Sequence, residues 1–336
     1  MINNKNILIT GGTGSFGSFF AEYLLKNYNP RKLIIFSRDE QKQFILEKKL
    51  YKYKKKLRFF IGDVRDLNRL EFATKNVDIL IHAAAMKHVV IAEYNPFEVV
   101  KTNIIGAQNI IESCLKNNVK KIIALSTDKA SSPINIYGAS KLTSDKLFIA
   151  ANNYAGKNKN MFSVVRYGNV LGSKGSILPM FLKGAQKNLI TITDKRMTRF
   201  NITLEESVGL VVKAINLMVG GEIFVPKIPS FKVIDLAKAI SPRSKIKLIG
   251  IKPGEKLHEE LISKHESINA IEYKSYYVIT SNSEFFDWSQ EKYIKKFGGK
   301  KCSDSFCYDS FNNKDKLSIQ KLRNIIKTEA KKLNLT

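Results

Sequence analysis

Short apolar segments alternate with longer amphipathic segments along the first 170 residues of the chain. Each apolar segment is dense in Ile, Val, Leu and Phe, is too short for a helix, and precedes a helix-compatible stretch. Strands buried on both faces have this composition, so the pattern predicts an α/β fold, a doubly wound parallel sheet with helices on both sides. The predicted strands are Ile7–Thr10, Leu33–Phe36, Leu57–Ile61, Asp78–His82, Lys121–Ser126 and Met161–Tyr167.

The alternation loosens after residue 170, which indicates a smaller C-terminal lobe at the carboxyl edge of the sheet. We predict one domain over residues 1–170, completed by about residues 203–240, and a ligand-closing lobe formed by residues 171–202 and 241–336. The elements predicted here are a helix that opens at the Gly/Ser-rich stretch 172–176 and runs to Lys187, helices Leu204–Met218, Val233–Ile240 and Leu317–Leu333, and strands Glu222–Val225 and Tyr276–Ile279.

A glycine-rich turn, TGGTGSFG over residues 10–17, follows the first predicted strand and opens a helix. Gly11 permits a tight turn, Gly14 lets the backbone approach a pyrophosphate, and Gly17 allows close packing of helix on strand. The helix N-terminus supplies N–H groups for phosphates. A GxxGxxG pattern alone is weak, but the strand–turn–helix context predicts a dinucleotide site. The contacts expected in this turn are Gly11, Thr13, Gly14, Ser15, Phe16 and Gly17.

The end of the second strand bears on which dinucleotide binds. NAD sites commonly carry an acid there, whereas basic residues suit the 2′-phosphate of NADP. Ser37, Arg38 and Lys42 supply donors and positive charge, so we predict NADP. Two alternatives stay open: Asp39 could serve NAD, and Ser37 or Asp39 could instead cap the next helix.

The ends of the third and fourth strands are also expected to contact the cofactor. Asp63, followed by Val64, would lie against the adenine, and Ala83 and Ala84 would form a small-residue wall beside the nicotinamide. Ligands of this fold bind at successive strand ends, although ordinary turn packing would explain these residues equally well.

Tyr137 and Lys141 are four residues apart and therefore share one face of a predicted helix. A lysine near the tyrosine favours the phenolate, so we expect a lowered pKa for Tyr137, suited to a general base. Thr127, at the end of the fifth strand, can hydrogen-bond the oxygen that Tyr137 deprotonates. An exposed helical pair is the alternative for an isolated YxxxK, but the three residues after a dinucleotide turn predict oxidation of a hydroxyl.

These motifs resemble the extended short-chain dehydrogenase/reductase family and, more narrowly, the 5-inverting UDP-N-acetylglucosamine 4,6-dehydratases that begin pseudaminic acid synthesis. The resemblance implies an NAD(P)-binding Rossmann domain with a C-terminal substrate lobe. It runs in family order from residue 5 to about 265 and is less distinct beyond. The matching stretches are residues 10–17, 37–42, 59–66, 82–94, 126–141, 166–179, 196–200, 221–229 and 253–259.

The resemblance also implies residue roles. Tyr137, assisted by Lys141 and Thr127, would take the proton of the sugar 4-hydroxyl while NADP oxidises C4. Asp128 would act as acid and Lys129 as base in removing water across C5 and C6, and NADP would be regenerated. The product would be a C5-inverted UDP-4-keto-6-deoxy-L-arabino-hexulose.

The Asp128–Lys129 pair makes opposite demands on two pKa values, because the acid must be protonated while the base is neutral. Lys87 and Lys141 would lower the pKa of Lys129, whereas an ionised Asp128 would raise it. The sequence leaves the net direction open, and an ordinary turn pair remains the alternative interpretation.

Further contacts are implied by the resemblance alone. Lys87 would touch both cofactor and substrate, and Thr102, Tyr137 and Lys141 would also contact the cofactor. The remaining substrate contacts would be Lys129, Tyr137, Asn169, Arg199, Lys252 and Glu255. Lys252 stands where the family commonly has Arg, which replaces a bidentate phosphate fork with a point charge, and Asn201 stands where Trp is common.

Composition narrows the remaining possibilities. The chain has no apolar run of the roughly 18–20 residues that span a bilayer, and no signal peptide is visible. Its three cysteines form no CxxC pair and its four histidines show no metal spacing, so we predict no metal site and a cytoplasmic location.

The net charge of +26 suggests a polyanionic partner, but the basic runs lack the interleaved aromatics of single-strand binders, so we predict no nucleic acid. A homo-oligomer, dimer or hexamer, is implied by the resemblance. Two alternative functions stay open. One is a nucleotide-sugar 4-epimerase or retaining dehydratase, and an epimerase would not need Asp128 and Lys129. The other is a non-catalytic scaffold that senses NADP or binds nucleic acid.

Overall fold

The computed structural model describes residues 1–156, 160–172, 176–281 and 289–332. Its strands are β1 (Asn6–Thr10), β2 (Lys32–Ser37), β3 (Leu57–Ile61), β4 (Ile79–His82), β5 (Lys121–Thr127), β6 (Met161–Tyr167), β7 (Asn169–Val170), β8 (Leu189–Ile192), β9 (Thr198–Ile202), β10 (Ile223–Pro226), β11 (Ser230–Lys232), β12 (Lys245–Leu248), β13 (Glu260–Ile262), β14 (Ala270–Glu272), β15 (Tyr276–Ile279), β16 (Lys300–Lys301) and β17 (Tyr308–Asp309).

The helices alternate with the strands through the first half of the chain. They are α1 (Ser15–Asn27), α2 (Glu40–Lys49), α3 (Leu67–Ala73), α4 (Val89–Tyr94), α5 (Pro96–Val99), α6 (Gly106–Lys116), α7 (Ile136–Ala150), α8 (Ile177–Gln186), α9 (Leu204–Leu217), α10 (Val233–Ile240), α11 (Lys264–Ser267), α12 (Gln290–Phe297) and α13 (Ile319–Lys332). A π-helical segment, Val100–Ile105, leads into α6, and a 3₁₀ turn, Asp128–Ala130, follows β5.

A central sheet runs in the order β16-β14-β15-β10-β6-β5-β4-β1-β2-β3. The strands from β3 to β10 are parallel, and β15, β14 and β16 are added antiparallel at the β10 edge. The strand order reverses between β1 and β4, which is where doubly wound folds bind ligands at the carboxyl ends of the strands. The predicted fold class is confirmed, and the six predicted strands agree with β1 to β6 to within one residue at each end.

Burial of the strands on both faces of the sheet explains why the sequence predicted them. Every residue of β1 and β4 is buried, since helices cover both faces of the sheet. The largest cluster of buried apolar side chains is built on this sheet, with Phe20 of α1 and Phe148 of α7 on the covering helices. β3 lies at the edge and is only partly buried.

A second cluster of buried residues packs α8, α10 and α13 together, through Phe181, Leu236 and Leu322. Short strand pairs accompany it: β8 with β12, and a small sheet in the order β11-β9-β7. The predicted two-part division of the chain stays a prediction. The hairpin β14–β15 nevertheless lies in the central sheet, although residues 241–336 were expected in the smaller lobe, because β15 pairs directly with β10.

The predicted C-terminal helices differ from the structure mainly at their ends. α10 has the predicted bounds. α9 begins at a capping box formed by Thr203 and Glu206 and ends one residue before its predicted end. α8 begins at Ile177, and the preceding residues 173–175 lie outside the described part of the chain, as does residue 333. The helix α12 was not predicted. Within the described ranges, no helix is long and apolar enough to cross a membrane.

Candidate active site

The turn between β1 and α1 requires glycine at two positions. Gly11 has φ +62°, and a Cβ there would lie 2.8 Å from the backbone nitrogen of Ala84. A Cβ on Gly17 would lie 2.5 Å from the carbonyl oxygen of Gly11. The tight turn and the close helix–strand packing expected from the motif are therefore both present. Gly14 caps α1 without a side-chain hydrogen bond, so the helix N-terminus offers backbone N–H groups to an anion.

A cleft of about 830 Å³ opens at the carboxyl edge of the sheet. Every residue predicted to contact the cofactor lines it, from Gly11 in the first turn to Lys141 in α7. Thr127, Lys129, Tyr137 and Asn169 line the same cleft. A volume of this size falls in the range of small-molecule sites, and the glycine cradle and the α1 N-terminus fit a dinucleotide.

The end of β2 carries basic residues that are already paired with acids. Asp39 caps α2 by accepting a hydrogen bond from the Lys42 backbone (2.9 Å), and its carboxylate also pairs with the Lys42 ammonium. These two interactions lower the pKa of Asp39. Arg38 is largely exposed and lies 3.5 Å from Asp63, which Arg65 also holds. A 2′-phosphate would compete with Asp39 for Lys42, so the choice between NADP and NAD stays a prediction.

The end of β4 is fixed by a buried polar pair. Thr10 Oγ1 and His82 Nδ1 are 2.8 Å apart, and the backbone nitrogens of Ala83 and Ala84 donate to the same threonine oxygen. Burial lowers the pKa of His82 to about 3, with a smaller lowering by Lys141, so the ring is neutral at physiological pH. His82 therefore supports the backbone that forms the alanine wall.

Asn103 is a site residue that the sequence did not reveal. It lies in the π-helical segment and is buried. Its amide accepts from Met86 N (2.8 Å) and donates to Met86 O (2.9 Å) and to Ser140 Oγ (3.0 Å). Asn103 thereby ties the β4 loop, which carries Lys87, to α7, and π-helical irregularities of this kind are frequent at functional sites. Burial lowers the pKa of Lys87.

Tyr137 and Lys141 lie in the first turns of α7, and both are buried. Asn135 caps this helix by accepting from Gly138 N at 2.7 Å. A Cβ on Gly138 would collide with the carbonyl oxygen of Lys129. The glycine therefore lets the start of α7 approach the 3₁₀ turn after β5, which brings Tyr137 close to Lys129.

The expected lowering of the Tyr137 pKa is wrong for this structure. Burial raises the pKa of Tyr137 to about 12, because the low-dielectric surroundings disfavour the phenolate. The groups that oppose this rise are Lys129, through its charge, and Thr127, through its hydroxyl. Lys141 is not the lysine that lowers it, and burial lowers the pKa of Lys141 itself.

Asp128, which is buried, and Lys129, which is partly buried, belong to one hydrogen-bonded cluster. Lys129 Nζ lies 3.1 Å from Asp128 Oδ1 and 3.4 Å from Asn169 Oδ1. Thr127 Oγ1 donates to Asp128 Oδ1 at 2.9 Å. A second carboxylate, Glu259, which the sequence did not single out for this role, places Oε1 3.0 Å from the same ammonium. An exposed turn pair is therefore not what the structure shows.

The net direction of the Lys129 pKa, which the sequence left open, is upward. Burial lowers the pKa of Lys129, but the carboxylates of Asp128 and Glu259 outweigh it. Burial raises the pKa of Asp128, and the charge of Glu259 raises it further, against the attraction of Lys129. The cluster therefore rests with Lys129 as an ammonium and with Asp128 more easily protonated than an ordinary carboxyl.

Three predicted substrate contacts do not line the cleft. Arg199, in β9, donates to the carbonyl oxygens of Thr198, Leu257 and Lys256 at 2.7 to 3.1 Å, and its Nε lies 3.6 Å from Glu259. Lys252 is exposed and forms a turn with Glu255, whose carboxylate accepts from the Lys252 backbone at 3.3 Å. Asn135 Nδ2 donates to the carbonyl oxygen of Gly254 at 2.8 Å, so this turn sits against the N-terminus of α7.

Comparison with known proteins identifies the family. The family model described as "Polysaccharide biosynthesis protein" matches residues 7–281. The chain belongs to this family. A relative named UDP-N-acetylglucosamine 4,6-dehydratase (inverting), from Campylobacter jejuni subsp. jejuni serotype O:2, is 54% identical over 97% of this chain and 98% of its own. A relative named UDP-glucose 4-epimerase, from Rickettsia bellii, is 40% identical over 97% and 96%.

Solved structures agree with this membership. The X-ray structure of Pen from Bacillus thuringiensis is 37% identical, covers 98% of each chain and superposes with a TM-score of 0.88. DesIV, a dTDP-glucose 4,6-dehydratase from Streptomyces venezuelae solved with NAD and TYD bound, is 20% identical over 75% of this chain and 86% of its own, with a TM-score of 0.65. The second likeness supports the Rossmann-type fold alone. The predicted resemblance to the extended short-chain dehydrogenase/reductases and their inverting dehydratases is confirmed.

In this member of the polysaccharide biosynthesis protein family, the candidate catalytic residues are Thr127, Asp128, Lys129, Tyr137 and Lys141. Among the described residues, no group of three or more His, Cys, Asp or Glu side chains could hold a metal ion. His258 instead pairs with Thr198, Nδ1 to Oγ1 at 2.8 Å, and its ring packs on Phe311 at 4.5 Å between centroids.

Proposed function

We propose that this protein oxidises UDP-N-acetylglucosamine at C4, removes water across C5 and C6 and inverts C5, with NADP that stays bound and is recycled. The observation that carries the proposal is the ion pair between buried Asp128 and Lys129, because Lys129 lines the same cleft as Tyr137. Oxidation of a sugar hydroxyl needs a tyrosine of this kind, but elimination needs an additional acid and base. The 54% identical relative named for this reaction supports the same assignment.

Three of the four proposed proton transfers are each assigned to one side chain. Tyr137 accepts the proton of the sugar 4-hydroxyl as C4 becomes a ketone. The ketone acidifies the C5–H bond, and neutral Lys129 accepts that proton. Asp128 donates its proton to the 6-hydroxyl, which leaves as water. A new proton then reaches C5 from the opposite face, which inverts that carbon.

The resting cluster contains the protons that this scheme needs. Lys129 as an ammonium beside ionised Asp128 differs from neutral Lys129 beside protonated Asp128 by one proton shift, across the 3.1 Å between Nζ and Oδ1. Burial favours the neutral pair on both sides, because it disfavours each charged form. This single proton shift would therefore meet the opposite demands on the two pKa values without a change in net charge.

The cofactor is proposed to lie along the cleft from the glycine turn to Tyr137. When bound, the cofactor would supply the hydride acceptor for C4 and then the hydride donor for C6. Gly11, Gly14 and the N-terminus of α1 would hold the pyrophosphate, and Arg38 with Lys42 would receive the 2′-phosphate. Lys87 and Asn169, at the other end of the same cleft, would hold the UDP-sugar.

Incubation with UDP-N-acetylglucosamine in deuterated water, without added cofactor, tests the proposal by NMR. We expect a 4-keto-6-deoxy product of L-arabino configuration with deuterium at C5. Lys129→Ala should abolish this product while cofactor stays bound, which measures the base separately from the fold. Retention of configuration at C5, or release of the C4 epimer alone, would contradict the assignment.

A second candidate is 4-epimerisation of a UDP-sugar, which the relatives named UDP-glucose 4-epimerase favour. An epimerase requires Tyr137, Thr127 and Lys141 but no acid–base pair for elimination. The same NMR experiment separates the two, because an epimerase product keeps its 6-hydroxyl and gains no deuterium at C5.

We also infer the setting in which the enzyme works. The product would enter pseudaminic acid synthesis as its first intermediate, in the cytoplasm, and the enzyme would act as a homo-oligomer, dimer or hexamer. Exposed apolar side chains on α4 and α5, including Val90, Tyr94 and Phe97, support self-association. Light scattering on the eluted protein would measure its mass, and a monomer at working concentration would contradict the oligomer.

A further inference from the structure

Glu259 is buried in the acid–base cluster, yet it does not line the cleft. Its side chain is 2% exposed. Oε1 lies 3.0 Å from Lys129 Nζ and 3.6 Å from Arg199 Nε, so one carboxylate oxygen contacts two cations. A buried carboxylate costs several kcal/mol unless cations and donors compensate it, and both cations here approach the same oxygen.

Lys129 is held between two carboxylates that are far apart in the chain. Asp128 Oδ1 lies 3.1 Å from Nζ on one side and Glu259 Oε1 lies 3.0 Å from it on the other. Asp128 comes from the 3₁₀ turn after β5, whereas Glu259 immediately precedes β13. The ammonium therefore has a fixed position that neither acid alone would define.

The two carboxylates differ in their electrostatic surroundings. Glu259 faces Lys129 and Arg199 and feels the charge of Lys256, which together outweigh burial and lower its pKa. Asp128 faces only one of these cations and is repelled by Glu259, so its pKa is raised. A proton entering the cluster thus goes to Asp128, while Glu259 keeps the negative charge.

One oxygen of each acid is buried without a hydrogen-bond partner among the described residues: Oδ2 of Asp128 and Oε2 of Glu259. On Asp128 this oxygen is free to carry the proton. A Cβ on Gly168 would lie 3.4 Å from it, so the glycine leaves space beside that oxygen. The cluster has the form of a shared-proton site in which one acid is permanently ionised.

We propose that Glu259 is a positioning residue that carries the fixed negative charge of the cluster, holds Lys129 in reach of the cleft, and leaves Asp128 as the acid. The effect of Glu259 on turnover rests on the proposed elimination chemistry. The contacts of Glu259 with Lys129 and Arg199 do not depend on the substrate. Removing the charge of Glu259 should lower the pKa of both Lys129 and Asp128, since its charge raises both. Tyr137, whose pKa Lys129 lowers and Asp128 raises, responds through these two neighbours.

Glu259→Gln tests the proposal with two measurements on the full-length enzyme. The first is the pH dependence of Lys129 acylation by an amine-reactive reagent, followed by mass spectrometry of the Lys129 peptide. We expect the midpoint to move to lower pH by about one to three units, the usual effect of an opposite charge at this distance. The second is the pH–rate profile for UDP-N-acetylglucosamine, whose two limbs should both move to lower pH. At the optimum, kcat should fall more than KM rises, because Glu259 does not line the cleft.

Glu260→Gln is the matched control. Glu260 is the neighbouring residue, and its carboxylate accepts from the hydroxyls of Ser131 and Ser132 at 2.9 and 2.7 Å. An amide oxygen can keep both bonds, so the Lys129 midpoint should stay at the wild-type pH. Glu259→Asp keeps the charge on a shorter side chain, so it should lower kcat about tenfold with a smaller midpoint shift than Glu259→Gln.

The outcomes separate this inference from the proposed function. An unchanged acylation midpoint in Glu259→Gln overturns the role of Glu259, even if the wild type dehydrates its substrate. A wild type that only epimerises contradicts the proposed function, while the acylation midpoint still decides the role of Glu259. If Glu259→Gln does not fold, wild-type kcat and midpoint in Glu259→Asp overturn the inference.

Discussion

Replacing Arg166 by methionine should cost this protein several kcal/mol of stability. Arg166 is fully buried beside the candidate active site, with its guanidinium 3.4 Å from Asp145 of α7 and 2.8 Å from Glu266 of α11. It also donates to the carbonyl oxygen of Leu261 at 3.2 Å. Methionine fills much of the volume but leaves two carboxylates without their cation. Breaking a buried ion pair from one side typically costs about 3–5 kcal/mol.

The magnitude should depend on pH in a predictable direction. Burial raises the pKa of Asp145, and Arg166 is the main group that opposes the rise. Without Arg166 the folded-state pKa of Asp145 rises further above its unfolded value. A group whose folded pKa is raised destabilises the protein as pH increases above the unfolded pKa. Arg166→Met should therefore lose more stability at pH 8 than at pH 5, where Asp145 takes up a proton more readily.

Equilibrium urea unfolding followed by circular dichroism measures this cost, and Arg196→Met supplies the control. Arg196 forms an ion pair with Asp194 at the same 2.8 Å, but its side chain is 68% exposed. Exposed pairs contribute about 0–1 kcal/mol. If the two variants lose similar free energy, or if the loss in Arg166→Met does not grow with pH, burial is not what makes the Arg166 network important.

Three further changes probe the candidate site. Tyr137→Phe removes the proposed proton acceptor but keeps the ring, so kcat should fall by about 10²- to 10⁴-fold with cofactor binding unchanged, measured by steady-state kinetics and cofactor titration. Gly138→Ala places a Cβ against the carbonyl oxygen of Lys129, so it should destabilise the fold by about 1–3 kcal/mol in urea unfolding and reduce turnover. Lys42→Ala should weaken NADP about tenfold and leave NAD nearly unaffected in fluorescence titrations, and equal losses for both would remove Lys42 from the 2′-phosphate site.

The parallel core was predictable because its signal is local. β1 and β4 are buried throughout, and each contains a short continuous run of Ile and Leu. In the second half, β10 and β15 were predicted as well, but the shortest strands have no such signal. β16 is two exposed lysines that become a strand only by pairing with β14. Such strands are defined by their partners, which a single sequence does not identify.

The candidate site likewise contains residues that the sequence predicted and residues that it did not. Tyr137 with Lys141, and Thr127 with Asp128 and Lys129, are neighbours in the chain, so their spacing revealed them. Asn103 and Glu259 act on residues far away in sequence, and although Glu259 ends the matching stretch 253–259, no spacing in the chain marks the role of either residue. The expected lowering of the Tyr137 pKa by Lys141 was wrong for this reason. Sequence spacing shows which residues share a helix face, whereas the pKa depends on burial and on charges brought from other elements.

The charge that does act on Tyr137 links the two halves of the proposed reaction. Lys129 lowers the pKa of Tyr137 only while it is an ammonium, so it assists removal of the 4-hydroxyl proton in that state. The elimination that follows needs the same side chain neutral, since an ammonium cannot accept the C5 proton. One proton shift from Lys129 Nζ to Asp128 Oδ1, 3.1 Å away, converts the ammonium to a neutral amine. The same shift protonates Asp128, which can then act as the acid. The geometry therefore favours oxidation before elimination, because the proton that leaves Lys129 is the one that Asp128 needs.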